Sequence, residues 1–246
     1  MDLRERSEHQ GRHPWERARA RYFGALVAEH TAGCRIARLL DVGAGDDWLA
    51  RELLHALGAQ AEVVGWDVHY TPEDLAAPAP AGLSRTATAP AGTFDVVTAL
   101  DVLEHVDDED AFLRDQVAAR LAPGGIAVVS VPAYQALFGD HDRMLEHRRR
   151  YRPAVLRATV GRHLRIIDQG SLFTSLLLPR LVQAGLERAG RHGDATGVGA
   201  WTGGPRLTAL LERVLLADAA AGRRLGRWGW PVPGLSTWVV AVGAQS

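Results

Sequence analysis

The chain has 246 residues, a formal net charge of −1 and 47% hydrophobic residues, a composition typical of one globular domain with additions. All 28 basic residues are arginines, which excludes Schiff-base lysine chemistry and lysine-dependent phosphate loops. The single Cys34 excludes an internal disulfide and a cysteine-built zinc site. The balanced charge disfavours broad binding to nucleic acids, and no apolar run is long enough to span a membrane. The charged first twenty residues predict no secretory leader and hence a cytoplasmic protein.

A helix is predicted to begin at Pro14, because proline suits a first helical turn. Apolar residues then recur on one face at helical spacing, at Trp15, Ala18, Tyr22 and Leu26. Three arginines alternate with this face and are expected to be mostly solvated, namely Arg17, Arg19 and Arg21. The helix either packs on the sheet or caps the active site. Residues 1–36 are assigned to an N-terminal helical cap, with Trp15 and Tyr22 as candidate substrate contacts.

The stretch after this cap predicts the first strand, loop and helix of a nucleotide-binding sheet. A strand is predicted over Arg38–Val42, and its apolar run ends at Asp41. Gly43 and Gly45 then form a turn, and a helical pattern starts at Trp48. Glycines let the backbone approach a ligand closely, and the helix start directs unpaired N–H groups at it. Trp48 occupies the third glycine position of a dinucleotide fingerprint, which leaves less room for a pyrophosphate.

A second strand is predicted over residues 61–66, ending on Asp67. An acidic residue about twenty positions beyond the glycine turn is suitably placed to bind both hydroxyls of an adenosine ribose. A weak third strand over residues 83–88 has no acid at its end. If an adenine base binds beyond the end of this strand, Thr86, a backbone group or a different arrangement would recognise it.

A buried strand is predicted over Phe94–Leu100, and residues 101–105 leave the sheet at its carboxyl edge, where ligands bind in such folds. Glu104 is expected to fix this loop by hydrogen bonds, whereas a catalytic and a structural role are equally supported for His105. A helix over residues 108–121 then leads through a Pro-Gly-Gly turn into a continuous apolar strand over residues 126–131.

Three of these segments resemble, in order, motifs of class I S-adenosylmethionine (SAM) dependent methyltransferases. They are Asp-x-Gly-x-Gly at 41–45, Phe-Asp-x-Val with Leu-Glu-His at 94–105, and Leu-x-Pro-Gly-Gly at 121–125. The resemblance implies a doubly wound, Rossmann-like α/β fold with seven mostly parallel strands, the last of them antiparallel between the fifth and sixth. It also implies SAM as cofactor, with contacts from Asp41, Gly43, Ala44, Gly45, Asp67, Val68, Leu100 and Asp101.

The segment after the fifth strand, residues 132–152, is dense in histidines, acids and arginines. His105, His141 and His147 are the candidate bases, because histidine is matched to proton transfer near neutral pH. The candidate substrate contacts here are Tyr134, Asp142, Arg149 and Arg150, with the arginines binding a carboxylate or phosphate. Two other interpretations stay open: a polar loop whose side chains satisfy one another, and a divalent metal site. No metal ligands are assigned.

Both this segment and residues 13–19 resemble stretches of one branch of bacterial methyltransferases, although Pro14 and Glu16 depart from its pattern. That branch implies no single acceptor.

The remaining chain predicts further helices and strands. These are a helix over 153–161, a strand over 164–168, an apolar helix over 172–186 interrupted by Pro179, a Gly-rich segment over 190–204, a helix over 205–225 and a strand over 236–242. Residues 170–235 are assigned to a helical insertion or lid within a methyltransferase domain at 37–246. This insertion is expected to set the acceptor specificity.

The sequence thus predicts a SAM-dependent methyltransferase acting on a small molecule, with an anionic acceptor or a metabolite intermediate as its substrate. Two rival classes remain: a nicotinamide-dependent oxidoreductase on a similar sheet, and a SAM-binding protein that does not methylate. No nucleic-acid partner and no membrane span are expected, and the oligomeric state is open.

Overall fold

The computed structural model describes residues 12–58, 61–190 and 201–243. Within these ranges no helix combines the length and the apolar character needed to cross a membrane. The strands are β1 Arg38–Val42, β2 Glu62–Trp66, β3 Leu83–Thr86, β4 Phe94–Leu100, β5 Leu121–Pro132, β6 Leu164–Leu172 and β7 Ser236–Gly243. The described α-helices are α1 Pro14–His30, α2 Trp48–Leu57, α3 Pro72–Ala76, α4 Glu109–Phe112, α5 Asp140–Met144, α6 Pro153–Val160, α7 Leu177–Arg188 and α8 Pro205–Arg227.

The seven strands form one sheet in the order β3-β2-β1-β4-β5-β7-β6. Strands β1 to β5 are parallel, and β7 runs antiparallel to both of its neighbours. The predicted doubly wound fold and the position of its last strand are both confirmed. The chain order reverses between β1 and β4, so the carboxyl ends of these two strands flank the crevice where such sheets bind ligands.

Successive side chains along each strand point to opposite faces of the sheet, and a hydrophobic core lies on each face. Leu39 of β1 faces the core formed with α1, α2 and α8, whereas its neighbour Leu40 faces the core that includes α6. The central strands are largely apolar on both faces because helices cover both sides of the sheet. Trp238 of β7 is the largest fully buried side chain among the described residues and lies in the first core.

Helix α1 begins where the sequence predicts. The His13 imidazole accepts a hydrogen bond from the Trp15 N–H at 3.3 Å, and Glu16 accepts one from the His13 N–H. Such reciprocal bonds satisfy N–H groups that have no partner within a helix. The apolar face of α1 packs into the same core as α2 and α8. A separate cap over residues 1–36 and a lid over 170–235 stay predictions.

Several predicted elements have different bounds. The helix predicted over 108–121 is α4 followed by a π-helical turn, Leu113–Val117, and a 3₁₀ turn, Ala118–Arg120, and apolar periodicity does not distinguish these turn types. β5 begins at Leu121 rather than at 126, because the register with β4 shifts instead of ending. β6 continues to Leu172 and pairs with β7 along this length, which delays the next helix.

That next helix, predicted from residue 172, is α7 and begins at Leu177. Pro179 therefore lies in its first turn, where a missing N–H breaks no helical bond, and it does not interrupt the helix. Most of the Gly-rich segment predicted over 190–204 lies outside the described residues.

Candidate active site

The glycine turn is fixed to the carboxyl edge of the sheet by backbone bonds. The N–H groups of Gly43 and Ala44 donate to the Trp66 carbonyl at 2.8 and 3.1 Å. Gly43 has φ +68°, and a Cβ built there would lie 2.6 Å from a methyl carbon of Val102. Only glycine fits this position without strain or displacement, so the turn lies directly against the loop that follows β4.

Asp41 is the penultimate residue of β1, two residues before Gly43, and is buried. Its Oδ1 accepts a hydrogen bond from Thr98 Oγ1 at 2.6 Å, whereas its buried Oδ2 has no hydrogen-bond partner among the described residues. Burial raises the pKa of Asp41 to about 6, although the Thr98 hydrogen bond acts in the opposite direction. A buried oxygen without a donor is costly, so Asp41 is suited to a ligand that brings one.

Asp67 links the glycine turn to the end of β2. Its Oδ2 accepts from the Gly45 N–H and its Oδ1 from the His69 N–H, each at 2.9 Å. Asp67 therefore lies against the glycine turn, and its binding of the ribose hydroxyls stays a prediction. The other predicted cofactor contacts differ in setting: the Val68 side chain is largely exposed, and Leu100 is buried in the core beneath the site.

Arg19 lies at the candidate site, which the sequence does not predict. It was expected to be mostly solvated with its neighbours, yet its guanidinium is buried. Arg19 Nη2 lies 2.7 Å from Asp101 Oδ2 and donates to Ser130 Oγ at 3.1 Å. The signal was its spacing, four residues after Trp15 and three before Tyr22, which places it on the buried face of the helix.

The other two arginines of this helix have a different partner. Arg17 Nε and Arg21 Nη1 lie 2.9 and 2.5 Å from the buried Glu212 carboxylate of α8. They thus connect α1 to α8 rather than to the glycine turn.

Asp142 organises the segment after β5. Its fully buried carboxylate accepts hydrogen bonds from His147 Nδ1 at 2.9 Å, Arg150 Nε at 2.7 Å and the Gly139 N–H at 2.9 Å. Burial alone would raise the pKa of Asp142, but the bonds from His147 and Arg150 lower it well below its usual range. Asp142 is therefore an ionised anchor that orients the His147 ring.

Glu104 faces the other side of His147. Its side chain is fully buried, and neither carboxyl oxygen has a hydrogen-bond partner within the described residues. His147 Nε2 lies 3.9 Å from Glu104 Oε1, which is too long for a hydrogen bond. Burial, and then the charge of Asp101, raise the pKa of Glu104 well above its usual value. The expected side-chain bonds are thus absent there, and the Glu104 carbonyl instead accepts from the Arg148 N–H.

The three candidate bases lie in this region. The His105 and His147 rings stand edge to face, with centroids 4.8 Å apart. His141 is half-buried, and burial lowers its pKa, although the negative charge of Asp142 opposes the shift. The structure therefore brings together His105, His147, Glu104 and Asp142.

The predicted substrate contacts are placed less uniformly. Arg149 pairs with Glu109 and donates to the Val106 carbonyl, and Arg150 binds Asp142, so both guanidinium groups are already engaged within the protein. Tyr134 is half-exposed at the start of the segment, with φ +61°. Tyr22 is a core residue packed against Trp238, and Trp15 is partly buried beside the same core.

A doubly wound sheet with an antiparallel seventh strand, a glycine turn after β1 and an acid after β2 defines a class I SAM-dependent methyltransferase fold. The model of the methyltransferase domain family matches residues 7–177, and the chain belongs to this family. The predicted family, enzyme class and SAM cofactor are confirmed. No curated protein matches the sequence.

Solved structures share the fold at low sequence identity. The [4+2]-cyclase SpnF superimposes with a TM-score of 0.57 and 20% identity over 97% of this chain and 86% of its own. The N-methyltransferase NodS from Bradyrhizobium japonicum WM9 superimposes with a TM-score of 0.51 and 14% identity over 94% of this chain and 98% of its own. Coclaurine N-methyltransferase bound to N-methylheliamine and S-adenosylhomocysteine superimposes with a TM-score of 0.51 and 12% identity over 91% of this chain and 70% of its own. One of the three is named as a cyclase, so the fold by itself does not determine the reaction.

Proposed function

We propose that this protein transfers the methyl group of SAM to a small molecule bound between the glycine turn and residues 132–152. The observation that most supports this proposal is the buried, unpartnered Oδ2 of Asp41 beside the glycine turn. The methionine end of SAM carries an ammonium group, which would supply the missing donor.

The residues around the turn fit the rest of the cofactor. Gly43 and Gly45 carry no side chain that would keep a ligand away from the backbone of the turn. Asp67 has the acceptor oxygens that ribose hydroxyls require, and Asp101 lies at the adjacent strand end. When bound, SAM supplies a methyl group that its positively charged sulfur has already activated. The protein then has to position the acceptor and remove its proton where one must leave.

His141 is the proposed base. Because burial lowers its pKa, its imidazole is neutral near pH 7 and able to accept a proton. His105 and His147 lie with Glu104 in the same region. Arg149 and Arg150 are not assigned to the acceptor, since each already binds a carboxylate.

A small acceptor is favoured over a nucleic acid because the net charge is −1. A cytoplasmic location is part of the same proposal, and cell fractionation with an antibody tests it.

Calorimetric titration of SAM, S-adenosylhomocysteine and NAD into the purified chain tests the cofactor assignment. We expect micromolar binding of the first two ligands and none of NAD. The variants Asp67→Ala and Asp41→Asn should bind at least tenfold more weakly, whereas Asp115→Asn, an exposed surface acid, should match the wild type. NAD binding without SAM binding would restore the oxidoreductase interpretation.

A screen of small acceptors for the release of S-adenosylhomocysteine tests the reaction itself. Accumulation that depends on the acceptor supports methyl transfer, and His141→Asn should slow it by about 10²-fold or more, the usual contribution of a general base. SAM binding with no product from any acceptor would favour the rival SAM-binding protein that does not methylate.

A further inference from the structure

We propose that Glu104, His105 and His147 form a binding site for a divalent transition-metal ion. One potential ligand atom from each of the three lies within 4.8 Å of the other two. The residues come from two separate segments, the loop after β4 and the segment after β5, which the fold brings to the same edge of the sheet.

Glu104 is the residue that most needs an ion. Its side chain is fully buried, and both carboxyl oxygens lack a hydrogen-bond partner in the described part of the chain. A buried carboxyl group in this condition is destabilising unless a cation or a donor compensates it. His147 does not compensate it directly, because its Nε2 is 3.9 Å from Glu104 Oε1.

His147 is oriented as a metal ligand would be. Its Nδ1 is bound to Asp142 Oδ1 at 2.9 Å, and Asp142 is itself held by Arg150 and by the Gly139 N–H. The remaining ring nitrogen, Nε2, therefore faces Glu104. Metal-binding histidines usually hold a carboxylate or carbonyl with their second nitrogen in this way, which fixes the ring and strengthens its basicity.

The donor set indicates which ions fit. Two imidazole nitrogens and one carboxylate oxygen form the ligand set of zinc sites that keep an open coordination position. Imidazole favours zinc, iron, cobalt or nickel over magnesium and calcium. In a tetrahedral site with bonds of about 2.1 Å, the ligand atoms lie about 3.4 Å apart. The three candidate ligand atoms, which lie within 4.8 Å of one another, would therefore approach one another by up to roughly 1.4 Å when the ion binds.

The position of the ion would connect it to the acceptor. Glu104 follows Asp101 by three residues at the carboxyl edge, so an ion there would lie beside the proposed reaction site. This position of the ion makes an acceptor with a hydroxyl group the expected substrate class, an inference that rests on the proposed function. A hydroxyl on the open coordination position would have a lowered pKa, and its proton would pass to His141 or to water.

Metal binding is tested without SAM, on the full chain prepared without a histidine tag and stripped of metal. Titration with Zn²⁺ is followed by calorimetry and titration with Co²⁺ by its visible absorption, in a Cys34→Ser background that removes the only thiol. We expect one tight equivalent per chain. Glu104→Gln and His147→Asn should each weaken binding at least 100-fold, and Mg²⁺ should not compete.

Two further variants separate metal binding from structural damage. Asp142→Asn should weaken Zn²⁺ binding by about 10- to 100-fold, the usual effect of losing a carboxylate that orients a histidine ligand. His55→Asn, on the exposed side of α2, should bind like the wild type. The thermal unfolding curve of each metal-free variant shows whether it is folded.

The results that overturn the site are distinct from those that overturn methyl transfer. No stoichiometric Zn²⁺ or Co²⁺ binding, or binding that folded Glu104→Gln and His147→Asn retain, would overturn the metal site. The SAM titrations would be unaffected by that outcome. Binding of the metal without binding of SAM would overturn the proposed function and would still support the metal site.

Discussion

Arg19 Nη2 and Asp101 Oδ2 lie 2.7 Å apart, so an ion pair joins helix α1 to the residue that follows β4. Ser130 of β5 bonds to both partners, donating to Asp101 Oδ1 and accepting from Arg19. Asp101 has φ +58°, a backbone conformation that aspartate adopts at an energetic cost. The pair therefore holds Asp101 in place at the edge where the cofactor is proposed to bind.

Replacing Arg19 should impair cofactor binding more than folding. Arg19→Gln removes the charge opposite Asp101 and releases its side chain, and we expect S-adenosylhomocysteine to bind at least tenfold more weakly, equivalent to about 1.4 kcal/mol. Calorimetric titration measures this loss. Arg21→Gln is the matched control on the same helix, because Arg21 contacts Glu212 rather than Asp101. Equal losses in the two variants would contradict a specific role for Arg19.

The buried Asp41 predicts an unusual dependence of stability on pH. Burial raises its pKa from 3.8 to about 6, so between these values the folded protein retains a proton that the unfolded chain has lost. The stabilisation is complete below pH 3.8 and is lost as pH rises through about 6. Two pKa units correspond to about 3 kcal/mol. The free energy of unfolding of Asp41→Asn, measured in urea, should therefore rise by about 3 kcal/mol relative to that of the wild type between pH 4 and pH 7.

The same group predicts how cofactor affinity changes with pH. Only ionised Asp41 attracts the ammonium group of the cofactor, and below about pH 6 the free protein holds Asp41 increasingly protonated. The dissociation constant of S-adenosylhomocysteine should then rise up to tenfold per pH unit, while Asp41→Asn should bind weakly with no such slope. A wild-type affinity that is constant between pH 5 and 7 would argue against contact with Asp41.

The elements nearest the cofactor could be predicted from sequence because local signals determine them. The bounds of β1, α2 and β4 agree with the prediction, since apolar runs and a glycine turn delimit them. The contacts of Arg19, and the burial of Glu104 without a side-chain hydrogen bond among the described residues, could not be predicted, because the surrounding groups lie on other segments of the chain. Charge alone placed Arg149 and Arg150 at the substrate, whereas the fold gives each of them a carboxylate partner nearby.

Gly43 allows a clash to be separated from backbone strain. Gly43→Ala introduces both a φ of +68° for alanine and a Cβ 2.6 Å from Val102, whereas Gly33→Ala introduces φ +82° with no atom within 4 Å. Left-handed backbone costs an alanine about 1–2 kcal/mol. Urea unfolding should show this loss for Gly33→Ala and a clearly larger one for Gly43→Ala, and Val102→Ala should restore part of the difference. Equal losses would mean that the turn shifts away from Val102 freely.

Glu212 of α8 should stabilise the fold without affecting the site. Its buried carboxylate lies 2.9 Å from Arg17 and 2.5 Å from Arg21, so Glu212→Gln leaves two neighbouring guanidinium groups without their counter-charge. Because both arginines are partly exposed, we expect a loss of about 1–2 kcal/mol in the free energy of unfolding. Asp115→Asn, which breaks an exposed pair with Arg114, should change it by less than about 0.5 kcal/mol. S-adenosylhomocysteine affinity measured well below the unfolding transition should be unchanged in both variants, and a loss confined to Glu212→Gln would mean that α8 also positions Arg19.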